Sequence, residues 1–382
     1  MKPESTSRLA RFGRGIKVLD LSQYLPGPMA SLLLADMGAE VLKIEPPRGD
    51  PMRGLGPRDD EDRALFYEAI NAGKKVLRLD LRQEKPHREF LDLVRDADVL
   101  IEGFRPGTMK RLGLDYETLR GINPRLIYCS MSGWGKSGPM AQAAGHDGNY
   151  LAMAGILHRN GAGSPYVFDP PLADTSAALF AVISILGALN ARREDNKGCE
   201  IDIALADIAM PLQLFQIADF GARSAVPQPE STYLNSGAAY YRVYETKDGR
   251  HIMLGAVEEK FWRAFCVAAE RGDWIERQAA PTPQSDLIRE VSDYFRSLTY
   301  TECLERFGEV DCCLSPVLDL RQALETPHFK QRKLIRRSPE GDLQALFPVR
   351  VDDQPSPSRP PLSEEPALWP HSREAKTTVP GK

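Results

Sequence analysis

After a short polar and basic stretch, the chain opens on an aliphatic run, Gly15–Ser22 (GIKVLDLS). Pro26-Gly27-Pro28 follows, and then an apolar helical stretch, Met29–Met37, which Gly38 closes. A second aliphatic run, Ala39–Glu45, comes at once. Strand, helix and strand in about thirty residues make a βαβ unit, whose strands are parallel. The alternation continues with a strand at Lys75–Leu79, a helix near Glu89–Arg95 and a strand at Asp98–Phe104. Short helices at Gly107–Leu112 and Tyr116–Gly121 precede a strand at Leu126–Met131. A long helix over Asp174–Arg193 ends on Arg192-Arg193, where positive charge suits the dipole. A strand at Gly198–Leu205 and a helix at Ala206–Gly221 complete an α/β domain over residues 1–222.

Residues 223–319 read as a linker and a smaller α+β domain. Ala222–Asn235, with Pro227 and Pro229, is the linker. Tyr240–Glu245 and Arg250–Leu254 flank Lys247-Asp248-Gly249, a strong hairpin signal. Helices near Glu259–Ala268, Asp286–Ser297 and Thr301–Gly308 and a strand at Cys312–Leu318 follow. The tail from Pro355 is rich in proline and charge and reads as extended or disordered.

Composition narrows the classes. A net charge of −4 over 382 residues provides no basic field for nucleic acid. The six cysteines form no C-x-x-C pair, which points to reduced thiols in the cytoplasm. The N-terminus lacks the apolar core of a secretory signal and reads as a disordered tail. The most apolar run, Ala177–Leu189, is too short to cross a bilayer and reads as a buried helix, so no membrane is expected.

Several motifs carry candidate chemistry. Gly133-Trp134-Gly135-Lys136-Ser137-Gly138 fits G-x-G-x-x-G and ends in Gly-Lys-Ser, but a phosphate loop needs glycine where Ser130 stands. A dinucleotide fingerprint should also open a βαβ unit, so the stretch reads as a glycine-rich turn. His146 beside Asp147 fits a general base tuned by a carboxylate, and equally a helix start with Asp147 as N-cap. Asp174, before an apolar helix, fits a cap and equally a nucleophile or proton carrier. The remaining histidines are isolated, so no metal site is expected. Lys43, Arg53, Lys74, Lys75, Arg105 and Arg111 fall near strand and turn ends, where an open parallel sheet binds ligands.

Taken together, these blocks resemble one family. GIKVLDLSQYLPGPMASLLLADMGAEVLKIEPPRGDPMR, INAGKKVLRLDL, ADVLIEGFRPGTMKRLGL and NPRLIYCSMSGWGKSGP match, in order and spacing, the class III coenzyme A transferases and the related α-methylacyl-CoA racemases. The resemblance extends from about Gly15 to Asp319. Gly145-His146-Asp147-Gly148-Asn149-Tyr150 is similar to the racemase pattern; the transferases commonly have tyrosine at the histidine position. Gly255-Ala256-Val257-Glu258-Glu259-Lys260-Phe261 resembles the racemases' GAIE-x-x-F. The chain departs from the pattern at Thr175-Ser176-Ala177-Ala178, at Arg242, and in a tail without the family's G-E-H-T turn.

The resemblance implies a Rossmann-like large domain completed by residues 320–382, and an interlocked homodimer. It implies an acyl-CoA racemase acting at C2 of 2-methylacyl-CoA thioesters, with His146 and Asp174 as opposed bases. Glu258, from the partner chain, would orient His146, with Asp147 and Tyr150 beside it. Apart from the resemblance, a helix start presents unpaired donors, so an N–H at the start of the Asp174 helix is the expected donor to the enolate oxygen. Coenzyme A, present only as part of the substrate, would lie near Tyr24, Lys43, Lys74, Lys75, Arg105 and Arg111. In the transferase branch, Asp174 would instead form an acyl anhydride. A silent CoA-thioester binding protein is the third reading.

Overall fold

The structure is a computed structural model that describes residues 7–161 and 163–364. The chain forms two compact units, one of residues 1–150, 169–209 and 327–382, the other of residues 151–168 and 210–326.

The larger unit is built on a six-stranded sheet: β1 (Lys17–Asp20), β2 (Glu40–Glu45), β3 (Lys75–Arg78), β4 (Val99–Glu102), β5 (Ile127–Ser132) and β6 (Glu200–Ala204). All are parallel, in the order β3-β2-β1-β4-β5-β6. Central strands of such a sheet are covered on both faces, so they run as continuous aliphatics rather than alternating. Val18 and Leu19 of β1 and Val99–Ile101 of β4 are fully buried accordingly. The strand order reverses between β1 and β4, so the loops that follow these two strands flank a crevice at the carboxyl edge. They touch: Leu21 N–H donates to the Ile101 carbonyl at 2.8 Å, and a Cβ on Gly103 would lie 3.6 Å from that of Ser22.

Helix α1 (Pro26–Asp36) starts earlier than the pattern suggested, because Pro26 and Pro28 fit its first turn, where no N–H is needed. Helices α2 (Leu65–Asn71), α3 (Glu84–Asp96), α4 (Thr108–Arg111), α5 (Tyr116–Ile122) and α6 (Asp147–Met153) follow in order. Helix α7 (Leu172–Asp195) packs on α1, β5 and β6 and buries Ala173, Ala177, Ala178, Ala181 and Ile185. It is not wholly buried as its composition suggested. Leu179 and Ile183 on its other side are 50% and 63% exposed, and by length and composition the helix is apolar enough to cross a membrane.

The helix expected over Ala206–Gly221 is broken at Pro211 into α8 (Leu205–Ala209) and α9 (Leu214–Arg223). The second unit therefore begins near residue 210 rather than 223, and it also takes in residues 151–168. Polar ties explain the grouping: the Gln213 amide donates to Ala154 O at 2.8 Å, and Asn235 donates to Arg159 O at 3.2 Å. The unit carries the antiparallel strands β7 (Tyr241–Glu245), β8 (His251–Gly255) and β9 (Leu314–Pro316). Gly249, at φ 73°, makes the expected hairpin turn. Trp262, Phe265, Trp274, Phe295 and Phe307 form its core with α10 (Glu259–Ala268), α11 (Ser285–Ser297) and α12 (Tyr300–Phe307).

Part of the C-terminal tail is extended and ordered against the larger unit. Arg359 grips Asp36 with two bonds of 2.7 Å, and Ser363 bridges to the edge strand β3, accepting from Val76 N–H at 2.8 Å. The rest of the tail and the first six residues lie outside the described residues.

Candidate active site

The site grows from the junction of α6 and α7. Asp147 opens α6, yet its carboxylate caps another helix: Oδ1 accepts the N–H of Ala173 at 2.6 Å and of Asp174 at 3.0 Å. A carboxylate here satisfies donors that the first turn of α7 leaves unpaired, and it favours the dipole. The cap of α6 comes instead from Asn149, whose Oδ1 accepts from His146 N–H at 2.9 Å. Asp174 is therefore capped rather than capping. Its own carboxylate makes no hydrogen bond among the described residues.

Asp174 is half-buried, and burial, helped by the negative Asp147, pushes its carboxyl up to about 6; His146 opposes the shift. Tyr150 is buried, its ring edge-on to Trp134 with centroids 5.0 Å apart. Its hydroxyl donates to Gly145 O at 2.6 Å, which fixes the backbone leading into His146. Burial first, then the charges of Asp174 and Asp147, push its phenol up to about 12, so it holds its proton. Gly133 must lack a side chain, since a Cβ there would come 2.3 Å from the Tyr150 hydroxyl. His146, Asp147, Tyr150 and Asp174 are thus brought together within one unit, with the His146 side chain exposed.

Two further features were not visible in the pattern. The α7 N–H groups expected to meet an enolate are already taken, at Ala173 and Asp174 by Asp147 and at Thr175 by Pro171 O. The N–H groups of Asp147 and Gly148, in the first turn of α6, have no partner among the described residues. Buried polar atoms also lack partners here, namely Asp147 Oδ2, Trp134 Nε1 and Ser132 Oγ. Glu258 belongs to the second unit, where it precedes α10 with its side chain exposed.

The basic residues divide sharply. Lys43 and Lys74 are fully buried and do not meet a phosphate. Lys43 Nζ donates to Ser22 O at 2.8 Å and pairs with Asp50 at 2.9 Å. Lys74 Nζ donates to Pro28 O at 2.9 Å and Asn71 Oδ1 at 2.8 Å, and pairs with Asp20 at 3.3 Å. Such burial is tolerable because each ammonium meets a carbonyl and a carboxylate inside the protein. Burial alone works against the Asp20 charge, but Lys43, Lys74, Ser22 and Ser31 hold its carboxyl down at about 2. These residues support the β1–α1 loop from beneath.

Lys75 is exposed but opens the edge strand, level with Leu42, rather than standing at the carboxyl edge. Arg53 is engaged by Glu45, Tyr67 and Glu364. Arg105 and Arg111 are exposed beyond β4; Arg105 lines a cavity of about 270 Å³ with Glu102, Tyr128, Ser130 and Lys136. The glycine-rich turn binds no phosphate in its own way: Lys136 is tied to Glu200, and its N–H donates to Asp202 at 3.1 Å. Tyr24 lies in the β1–α1 loop and is 47% exposed.

The open parallel sheet carries carboxylates and a histidine together at its carboxyl edge, and comparison with known proteins supplies the class. Residues 14–368 match the family described as CoA-transferase family III, and the chain belongs to that family. It is 31% identical to the α-methylacyl-CoA racemase of Homo sapiens over 94% of this chain and 91% of that protein. It is 30% identical to the acetyl-CoA:oxalate CoA-transferase of Acetobacter aceti over 92% of this chain and 93% of that protein. A CAIB/BAIF family protein from Brucella suis has a similar structure, with TM-score 0.80 and 29% identity, covering 94% of this chain and 97% of that one.

Proposed function

We propose that the protein is an acyl-CoA racemase that moves the proton at C2 of 2-methylacyl-CoA thioesters. The observation that carries this is the carboxyl of Asp174, raised to about 6 and set beside His146. Proton transfer is fastest for groups poised near neutrality, as the raised carboxyl of Asp174 is, and the His146 imidazole supplies the second base. One base takes the C2 proton, leaving an enolate; the other, protonated, returns a proton to the opposite face. The free N–H groups of Asp147 and Gly148 serve the enolate oxygen, as donors aimed at developing charge do. Glu258 of a second copy of the chain orients His146. Arg105 and Arg111 hold the phosphates of coenzyme A.

A second reading, CoA transfer between carboxylic acids, is favoured by one feature. The Asp174 carboxylate has no hydrogen-bond partner among the described residues, so it is free to attack a thioester as a nucleophile.

One experiment separates the two. Proton–deuterium exchange is followed in heavy water with the separate R and S isomers of a 2-methylacyl-CoA. A racemase exchanges both; His146→Ala impairs exchange chiefly from one isomer, and Asp174→Ala chiefly from the other. Protein that exchanges neither, moves CoA to a free acid and yields an acyl-aspartate to hydroxylamine is a transferase. Protein that binds CoA esters but does neither is a binding protein.

A further inference from the structure

Tyr24 has a backbone that two-base chemistry leaves unexplained: its φ is 64°, in the left-handed region. A bulky L residue is disfavoured there, whereas glycine enters freely. Among the described residues it is the one aromatic at positive φ; the others are polar side chains and a cysteine. The ring gains little from packing, since it is 47% exposed and its hydroxyl has no partner among the described residues.

The conformation is imposed by the loop's foundations. Ser22 is held through its N–H by Asp20 at 3.0 Å and through its carbonyl by Lys43 at 2.8 Å, all in the buried charge network. Gly27 seats the start of α1 directly on this residue: a Cβ on Gly27 would come 2.2 Å from the Ser22 side chain. A strained residue persists only where its surroundings over-determine it, and such residues cluster at functional sites.

Topology gives the loop's neighbours. Helix α1 leaves β1 and α7 leads into β6, two parallel strands, so both helices run back from the carboxyl edge. They pack on each other, which brings the start of α1 and the turn bearing Asp174 to the same edge. On its other side the loop touches Gly103, two residues before Arg105. We propose that Tyr24 is a specificity-determining residue, its ring forming a wall of the acyl subsite against the substituents on C2. The family resemblance instead places Tyr24 among contacts to coenzyme A. This assignment rests on the acyl-CoA reading above.

The test measures binding of non-reactive acyl-CoA thioethers, short and long, straight and 2-methyl-branched, and of free CoA. Wild type, Tyr24→Phe and Tyr24→Gly are compared. Tyr24→Gly should bind long, branched thioethers about tenfold more weakly, as loss of an aromatic wall does, with free CoA within about twofold. Relief of the left-handed strain should raise its melting temperature by a few degrees despite that loss. Tyr24→Phe should keep the wild-type ranking. Tyr24→Gly ranking the thioethers as wild type does would overturn the proposal. Equal losses for free CoA would place the ring on the nucleotide, and a lower melting temperature would make it a packing residue; either overturns it. Because thioethers do not react, the outcome is independent of racemase or transferase activity. Wild type that binds free CoA and every thioether nowhere would sink the acyl-CoA reading itself, and the proposal with it.

Discussion

One oxygen of Asp147 accepts the backbone N–H of Asp174 at 3.0 Å, while its other oxygen is buried without a partner. The same side chain thus fixes the turn that carries Asp174 and adds to the upward push on its carboxyl. Asp147→Asn keeps a hydrogen-bond acceptor but removes the charge. Racemisation should fall on the acid side with a midpoint near 6 in wild type, and Asp147→Asn should move that midpoint to lower pH. Asp147→Ala should in addition lose the cap, costing about 0.5–2 kcal/mol. An acid limb unmoved by Asp147→Asn would leave Asp147 with a purely structural role.

Stability should carry the imprint of Asp174. Its folded carboxyl, raised to about 6, binds a proton where an ordinary carboxyl, at 3.8, has lost it. The stabilisation from that proton is fully present below the ordinary value and is lost as pH rises through about 6. Asp174→Asn should therefore match wild type near pH 4 and exceed it near pH 7.5. After allowance for partial exposure, the gain is about 2 kcal/mol. Urea unfolding at the two pH values measures the difference, and net racemisation should be abolished while exchange from one isomer persists. A variant less stable at both would show that the carboxylate supports the fold.

The centre of the sheet was legible because β1, β2 and β4 are largely aliphatic runs separated by turns, and burial on both faces demands that pattern. His146, Asp147, Tyr150 and Asp174 were legible as a group only through motif resemblance. Their physical roles were not: Asp147 lies 27 positions from the N–H it caps, and no local pattern reports a helix capped from elsewhere in the chain. Lys43 and Lys74 misled for a related reason. A lysine within a strand, as Lys43 is, or just before one, as Lys74 is, looks like a ligand for an anion, and only the fold reveals that Asp50 and Asp20 are the anions. The one sequence signal was their position, since Lys43 stands between Leu42 and Ile44 in a strand buried throughout those residues. The early break at Pro211 was readable from proline alone.

Lys74→Met should destabilise the protein by about 3 kcal/mol, because it removes one of the two cations that balance the buried Asp20 charge. Adding Asp20→Asn should recover much of the loss, as removal of both charges does. The folded double variant should bind free CoA with wild-type affinity. Denaturant melts and CoA titrations check the two halves, and a selective loss of CoA affinity in the stable double variant would return Lys74 to phosphate binding.

Apolar surface points to self-association. Leu179 and Ile183 leave one side of α7 uncovered in the larger unit, and Leu214, Phe215, Ile217 and Phe220 of α9 are 46–65% exposed in the second. Single exposed leucines are ordinary, but contiguous apolar helix faces mark surfaces that a partner covers. The expected partner is a second copy of this chain, which would also bring Glu258 to His146. Wild type should sediment as a dimer at micromolar concentration and remain one on dilution, because an obligate interface buries a large apolar area. Phe215→Glu with Ile217→Glu should weaken the dimer by placing unpaired charge in that interface. If the dimer completes the site, mixing two inactive homodimers, His146→Ala and Glu258→Ala, after mild dissociation should restore part of the activity. Shared sites predict this rescue, since a mixed dimer has one intact pair. A wild-type monomer that is fully active would refute both the dimer and the shared site.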